Sequence, residues 1–300
     1  MSYAGSLPGK PAFGVVASAA LELLKPITWF APMWAFGCGI VAGGGPSGHW
    51  RAALLGIALA GPLVCGTSQA VNDWFDRHVD ALNEPARPIP SGRLRGRTGL
   101  GIAIVWTLVS LLVAAWLGWV VLVAAAVGLS LAWAYSAPPI RLKRNGWWGN
   151  AACGACYEGL PWVTGAAIMC HGVPSWPSLM AALLYSVGAH GIMTLNDFKS
   201  TAGDAAMGIR SLPVLLGTER AARLACAVMA VPQIGIIVLL LTLHHPLGAG
   251  FVAGVLAAQL WLMRTLLSDP KGKAPWYNGT GTTLYVLGML GVAFALRGGG

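Results

Sequence analysis

At 300 residues, with 56% hydrophobic and only 10% charged residues and a mean hydropathy of +0.66, the chain is too apolar for a soluble domain. Its solvent is a lipid bilayer. The net charge of +9 excludes nothing by itself, but its distribution, described below, is that of a membrane protein and leaves no need for a nucleic-acid partner.

Residues 1–24 read as a cytoplasmic, partly amphipathic leader: Lys10 followed by AFGVVASAA mimics a short signal peptide, but Glu22 and Lys25-Pro26 run directly into further apolar sequence. Nine apolar runs follow, at 27–44, 52–71, 99–117, 119–136, 151–170, 177–195, 222–243, 248–267 and 278–296. Each is close to the roughly 17–25 residues that cross a bilayer as a helix. The predicted fold is therefore an all-α membrane protein of nine transmembrane helices, with residues 25–300 as one domain. Of the 19 Lys and Arg, only Arg51 and Arg297 fall outside the segments that would be cytoplasmic with the N-terminus inside, which places the C-terminus on the periplasmic side. The six cysteines all lie in apolar runs, where a thiol is a small hydrophobe, and no disulfide is expected.

Immediately after the second run stands NDWFDRHVD, Asn72 to Asp80. Asp73, Asp76 and Asp80 are spaced i, i+3, i+7, so a helix continuing past the membrane edge presents them on one face. The fourth run ends at Tyr135, before Pro138-Pro139 and the basic stretch Arg141, Lys143 and Arg144. That position puts the Tyr135 hydroxyl near the charged mouth, where it contacts diphosphate or a cation, or simply ends the helix. Within the fifth run, Cys153 and Cys156 share a helical face but lack the partner pair a zinc or redox site requires. Glu158 is the one acid embedded in an apolar run, and an intramembrane carboxylate is a functional candidate by default. It is either protonated, paired with a base, or directed at a polar edge of the substrate.

His190, in the sixth run, is either a hydrogen-bonded helix histidine or a ligand for a substrate metal. Trp29, Trp74, Trp147, Trp148 and Trp162 either anchor the chain at the interface or stack on a flat ligand. His244-His245 read as an outer turn.

Behind the sixth run lies a second copy of the acidic motif, NDFKSTAGD, at an offset of 124 residues. Asn72-Asp73 aligns with Asn196-Asp197 and Asp80 with Asp204, while Asp76 faces Ser200. Arg87-Pro88-Ile89-Pro90 aligns with Arg210-Ser211-Leu212-Pro213. Four crossings separate the copies, so both fall on the same side, as two parallel four-helix repeats (25–145 and 146–267) followed by a ninth helix at 278–296. Clustered carboxylates repel unless cations lie among them. Mg²⁺ is held by one or two carboxylates together with substrate phosphates, and Arg87, Arg141, Lys143, Arg144, Lys199 and Arg210 supply more positive charge than carboxylate pairing needs. One such cluster is also explained by a solvated helix end paired to Arg77 and other loop arginines; two on one face point to a metal-diphosphate site, and its membrane mouth to a lipid-like diphosphate.

The stretches NDWFDRHVDALNEPARPIPSGRL, YSAPPIRLKRNGWWGN and NDFKSTAGD with GIRSLPVLLG resemble the UbiA family of intramembrane prenyltransferases, and within it the chlorophyll and bacteriochlorophyll synthases. The similarity covers about residues 24–220; the last three runs match by position alone. The resemblance implies a nine-helix bundle around a central cavity in a bacterial inner (photosynthetic) membrane. It implies Mg²⁺ held by Asn72, Asp73, Asp76, Asp80, Asn196, Asp197 and Asp204, with Asp73, Asp76, Asp197 and Tyr135 in catalytic roles. Arg87, Arg141, Lys143, Lys199 and Arg210 would bind diphosphate, and Glu158, His190 and Trp162 would contact the acceptor. Many relatives carry a third acid where Ser200 stands, so the first motif is expected to hold its Mg²⁺ more firmly than the second.

The implied reaction is Mg²⁺-dependent esterification of a chlorophyllide-type propionate by geranylgeranyl or phytyl diphosphate, with pigment-assembly proteins as possible partners. A propionate with a carboxyl pKa near ~4.3 is already anionic at neutral pH and needs no general base. A C20 donor chain prefers lipid or a greasy groove by about 0.8 kcal/mol per CH₂. An aromatic acceptor, as for a quinone or haem precursor, is the rival within the fold. A secondary transporter or a passive pigment carrier is the rival outside it, although a transporter's ionisable groups belong near the midplane and only one of the ten acids here lies there.

Overall fold

A computed structural model of the chain describes residues 13–297; Lys10 and the first half of the expected leader lie outside them. Among these residues the fold is helical throughout. After α1 (Phe13–Leu23) the chain turns at Lys25 and enters α2 (Phe30–Ala42). A continuous helical stretch, Trp50–Asn83, comprises α3 (Trp50–Ala58), a π-helical segment Leu59–Cys65 and α4 (Gly66–Asn83). The π segment contains Pro62, whose missing N–H and ring cannot be fitted into a regular α ladder. There follow α5 (Thr98–Leu117), α6 (Trp119–Ser136), α7 (Gly146–Gly154), a second π segment (Ala155–Gly159) and α8 (Leu160–Cys170). The remainder consists of α9 (Trp176–Asp197), the short α10 (Thr201–Ala206) and α11 (Leu212–Leu216), and the long α12 (Thr218–Thr242), α13 (Pro246–Ser268) and α14 (Pro270–Ala295).

Six helical stretches are long and apolar enough to cross a bilayer, or seven if α1 and α2, bent by 58° between them, form one broken span. Outward faces are greasy: Leu112 and Trp116 of α5 and Leu247 of α13 are 71%, 70% and 90% exposed, as lipid-facing groups are. Inside, close helix contact depends on missing side chains. A Cβ on Gly39 of α2 would collide with the Trp162 carbonyl of α8, and one on Gly165 of α8 with the Phe36 carbonyl of α2. These glycines let the two backbones touch, the usual route to tight packing where lipid offers no hydrophobic drive between helices.

Alternating helix direction places the connections 84–97, 137–145 and 198–217 at one end, which holds both acidic motifs. Loops of the two halves are stitched there by a parallel bridge, with Gly146 N–H donating to the Arg210 carbonyl and Arg210 N–H to the Arg144 carbonyl, both at 2.9 Å. At the opposite end Arg297 Nε donates to the Gly44 carbonyl and the His49 and His171 rings meet edge-on at 4.7 Å. All six cysteines are free thiols.

Candidate active site

The helix continues through the first motif: α4 carries Asn72, Asp73, Asp76 and Asp80 over successive turns. Its acids are met by cations from three other segments. Asp73, only 2% exposed, accepts from Lys25 Nζ at 2.7 Å and from an Arg87 Nη at 3.3 Å. The same Arg87 Nη reaches Asp80 at 2.9 Å, while its Nε and other Nη form a fork on Glu84 at 2.6 and 2.8 Å. Asp76 is held through both oxygens by Lys143 at 2.5 Å and by Arg141 at 3.4 Å. Burial draws the Lys143 ammonium below the ordinary lysine pKa, against the pull of Asp76 beside it.

Lys25 and Arg141 both sit in the left-handed region, at φ 46° and 42°. Strain of that kind in non-glycine residues persists where surrounding contacts enforce it, and here both side chains end on a motif aspartate. Arg77, the expected partner of a solvated helix end, instead lies over the Trp74 ring at 4.2 Å and donates to the Trp74 carbonyl.

The second motif is broken where the first is continuous. Helix α9 ends at Asp197, the chain turns through Phe198–Ser200, and Asp204 lies on α10. Ser200 makes that turn: its Oγ donates to the Asp197 carbonyl at 3.1 Å and to Asp204 Oδ2 at 3.0 Å. Asp197 accepts from Asn150 Nδ2 at 3.2 Å. The second pair of acids is thus met mainly by neutral groups. The Lys199 and Arg210 side chains are exposed and make none of these contacts.

Between the motifs opens a cavity of about 560 Å³ walled by α2, α4, α6, α7, α9 and α14. Asn72, Asn196 and Tyr135 line it, and no charged side chain does. Asn72 donates to Ser136 at 3.2 Å, and Asn196 accepts from Asn278 at 2.8 Å. Sequence reasoning did not assign Lys25, Gln69, Asn150, Tyr157, Asn278 or Thr282 to the site. Gln69 and Tyr157 hydrogen-bond at 3.3 Å across the cavity wall. Asn278 and Thr282 carried only a weak signal, two polar residues i, i+4 on a helix that also holds Lys271, Lys273, Thr280 and Thr283.

The three residues offered for acceptor contact lie off the cavity lining. Trp162 is fully buried, stacked on Tyr185 at 6.3 Å and donating to Ser178 at 3.0 Å, so its ring belongs to the core. His190 packs against Trp147 at 5.8 Å. Glu158, 4% exposed on the second π segment, has one carboxyl oxygen with no partner among the described residues.

Among the described residues, no three acidic, His or Cys side chains gather into a ready metal cage. The donor chemistry nevertheless suits Mg²⁺: the available ligands are hard oxygens, and Asp73 Oδ2 is buried without a partner among the described residues. Mg²⁺ takes one or two carboxylates and completes its shell with waters and substrate phosphates, so a full protein cage is not required.

An uncharged cavity inside a membrane-spanning helical bundle, capped by paired acids and bases, is the site of an intramembrane group-transfer enzyme. The chain matches the UbiA prenyltransferase family over residues 30–295 and belongs to it. It is 59% identical over 281 residues to the bacteriochlorophyll synthase 33 kDa chain of Cereibacter sphaeroides, covering 93% of both chains. It is 47% identical to the 34 kDa chain of Chloroflexus aurantiacus, covering 92% of this chain and 89% of the relative. With the chloroplastic chlorophyll synthase of Arabidopsis thaliana it shares 36% identity, over 92% of this chain and 73% of the relative. A UbiA homolog from Archaeoglobus fulgidus bound to DMAPP and Mg²⁺ superposes with a TM-score of 0.74 at 20% identity, covering 93% of this chain and 98% of that one.

Proposed function

We infer that the chain esterifies the propionate of a bacteriochlorophyllide-type tetrapyrrole with a geranylgeranyl or phytyl group taken from its diphosphate. The observation that carries this reading is the division of the site into a charged rim and a cavity without charge. A prenyl diphosphate has the same division, an anionic head on an apolar tail. The higher identity to bacteriochlorophyll synthases, 59% against 36% for the plant chlorophyll synthase, favours the bacterial acceptor.

Asp73, Asp76, Asp80, Asp197 and Asp204, with Asn72 and Asn196, are the residues that would hold Mg²⁺, which when bound neutralises diphosphate oxygens and stabilises the leaving group. Lys143, Arg141, Arg87 and Lys25 already stand at the first motif and can turn from carboxylate to phosphate oxygens as charge develops there. The uncharged wall below keeps water from the allylic centre as its C–O bond to diphosphate breaks. The acceptor carboxylate, ionised at neutral pH, supplies the electron pair for the new ester bond and has no proton to lose. In this reading the two repeats form four-helix units with a ninth helix beside them. The motif end faces the cytoplasm, in a photosynthetic membrane that also holds pigment-assembly partners.

Purified protein, given Mg²⁺, prenyl diphosphate and acceptor labelled with ¹⁸O in both propionate oxygens, is expected to yield an ester retaining both labels. Loss of label, or prenylation at a ring carbon, would refute the assignment.

A further inference from the structure

Hydrogen-bonding capacity around the cavity is unevenly spent. On the side of α4, α6 and the second π segment the polar groups are matched: Gln69 with Tyr157 at 3.3 Å, Asn72 with Ser136 at 3.2 Å, and Ser68 with the Cys65 carbonyl at 2.7 Å. On the α14 side they are not. Thr282 Oγ1 and Asn278 Oδ1 are buried with no partner among the described residues, although both residues line the cavity. Asn278 uses one amide hydrogen on Asn196 and keeps the other. Spaced i, i+4, the two side chains lie on one face of α14. Asn278 Oδ1 only accepts and needs a donor such as water, but the Thr282 hydroxyl and the spare Asn278 amide hydrogen are donors, and at a cavity wall such donors mark where a ligand oxygen completes them.

The donor does not fit that wall. Its tail carries no hydrogen-bonding atom, and its diphosphate is drawn to the cations around α4 and the segment 137–145. The acceptor's carboxylate offers the lone pairs that match the Thr282 hydroxyl and the spare Asn278 amide hydrogen. A neutral cradle suits it better than a cationic one would, because an ion pair on the attacking oxygens withdraws the electron pair that must form the bond, whereas a hydroxyl and an amide N–H orient it at lower cost. We propose that Asn278 and Thr282 of α14 bind and orient the acceptor carboxylate for attack on the allylic carbon; this rests on the esterification read above.

Steady-state kinetics of the full-length protein with each substrate varied in turn tests the assignment. Thr282→Val keeps the shape and removes the hydroxyl. A single neutral hydrogen bond corresponds to an acceptor KM raised by about three- to tenfold, with the donor KM unchanged and Thr282→Ser restoring the wild-type value. Asn278→Leu also releases Asn196 and is expected to raise both KM values. Should Thr282→Val lose turnover altogether, equilibrium binding of the acceptor, read from its absorbance shift, gives the same comparison. An unchanged acceptor KM in Thr282→Val, or a rise confined to the donor, overturns the proposal. Failure of the wild-type protein to esterify at all would instead overturn the function on which it rests.

Discussion

Replacing Lys143 by Met should strengthen divalent-metal binding while weakening donor binding, two changes of opposite sign. The ammonium, 11% exposed, contacts both oxygens of Asp76, which is 22% exposed, at 2.5 Å. Unit charges about 4 Å apart at an effective dielectric near 20 interact by about 4 kcal/mol. Partial exposure and the continued presence of Arg141 at 3.4 Å leave about a third of that as the net competition a metal ion meets at Asp76. About 1.4 kcal/mol corresponds to a tenfold change. Mn²⁺ binding, followed by electron paramagnetic resonance on substrate-free protein in nanodiscs, should therefore tighten about tenfold in Lys143→Met, and the donor KM should rise in parallel. Metal affinity that stays constant or falls would show that Asp76 is not a metal ligand, or that Lys143 does not compete for it.

Asp73→Asn and Asp197→Asn preserve side-chain shape and are each expected to lower turnover by at least about a hundredfold, the scale of losing one group that stabilises a developing charge. Radiolabelled product formation measures this, with an unaltered gel-filtration profile reporting an intact fold; full activity in either variant would displace that aspartate from the site. Away from the site, Gln233 of α12 and Gln259 of α13 are fully buried and exchange amide hydrogen bonds at 2.9 and 3.2 Å. Gln233→Leu alone strands a buried amide and should cost about 1–2 kcal/mol, whereas the double Leu variant should recover most of that loss. Unfolding in detergent with a double-mutant cycle reads the coupling, and additive losses would refute it.

What was legible in the sequence is what local rules govern. The i, i+3, i+7 spacing of the first motif puts its acids on one face if the helix continues past the apolar run, and α4 does continue through Asn83. Apolar runs located the long helices, since the bilayer forces backbone groups to pair within the segment. The partners of the acids were not legible, because they come from contacts far apart in the chain. Lys25 reaches Asp73 across 48 residues and Lys143 reaches Asp76 across 67. The α14 wall escaped because its two polar residues belong to a helix without a motif. Trp162 looked available only because sequence does not show which face of α8 turns inward.

Ser200 shows how far such reading extends. The repeat exposed it as the position that breaks the match with Asp76, and from that alone the first motif, richer in acid, should bind metal more firmly. The structure changes the terms of the comparison. Extra negative charge in the first motif is already balanced by Lys25, Arg87, Arg141 and Lys143, so a metal ion entering there must displace or share with a resident cation. In the second motif Ser200 removes one acid, bends the chain so that Asp204 approaches from α10, and leaves Asp197 beside the neutral Asn150. Fewer charges with no ion pair among the described residues attract a cation as well as more charges already neutralised. The expected consequence is that the second motif takes up metal at least as readily as the first: Mn²⁺ binding weakened more by Asp197→Asn than by Asp76→Ser would bear this out, and the reverse order would refute it.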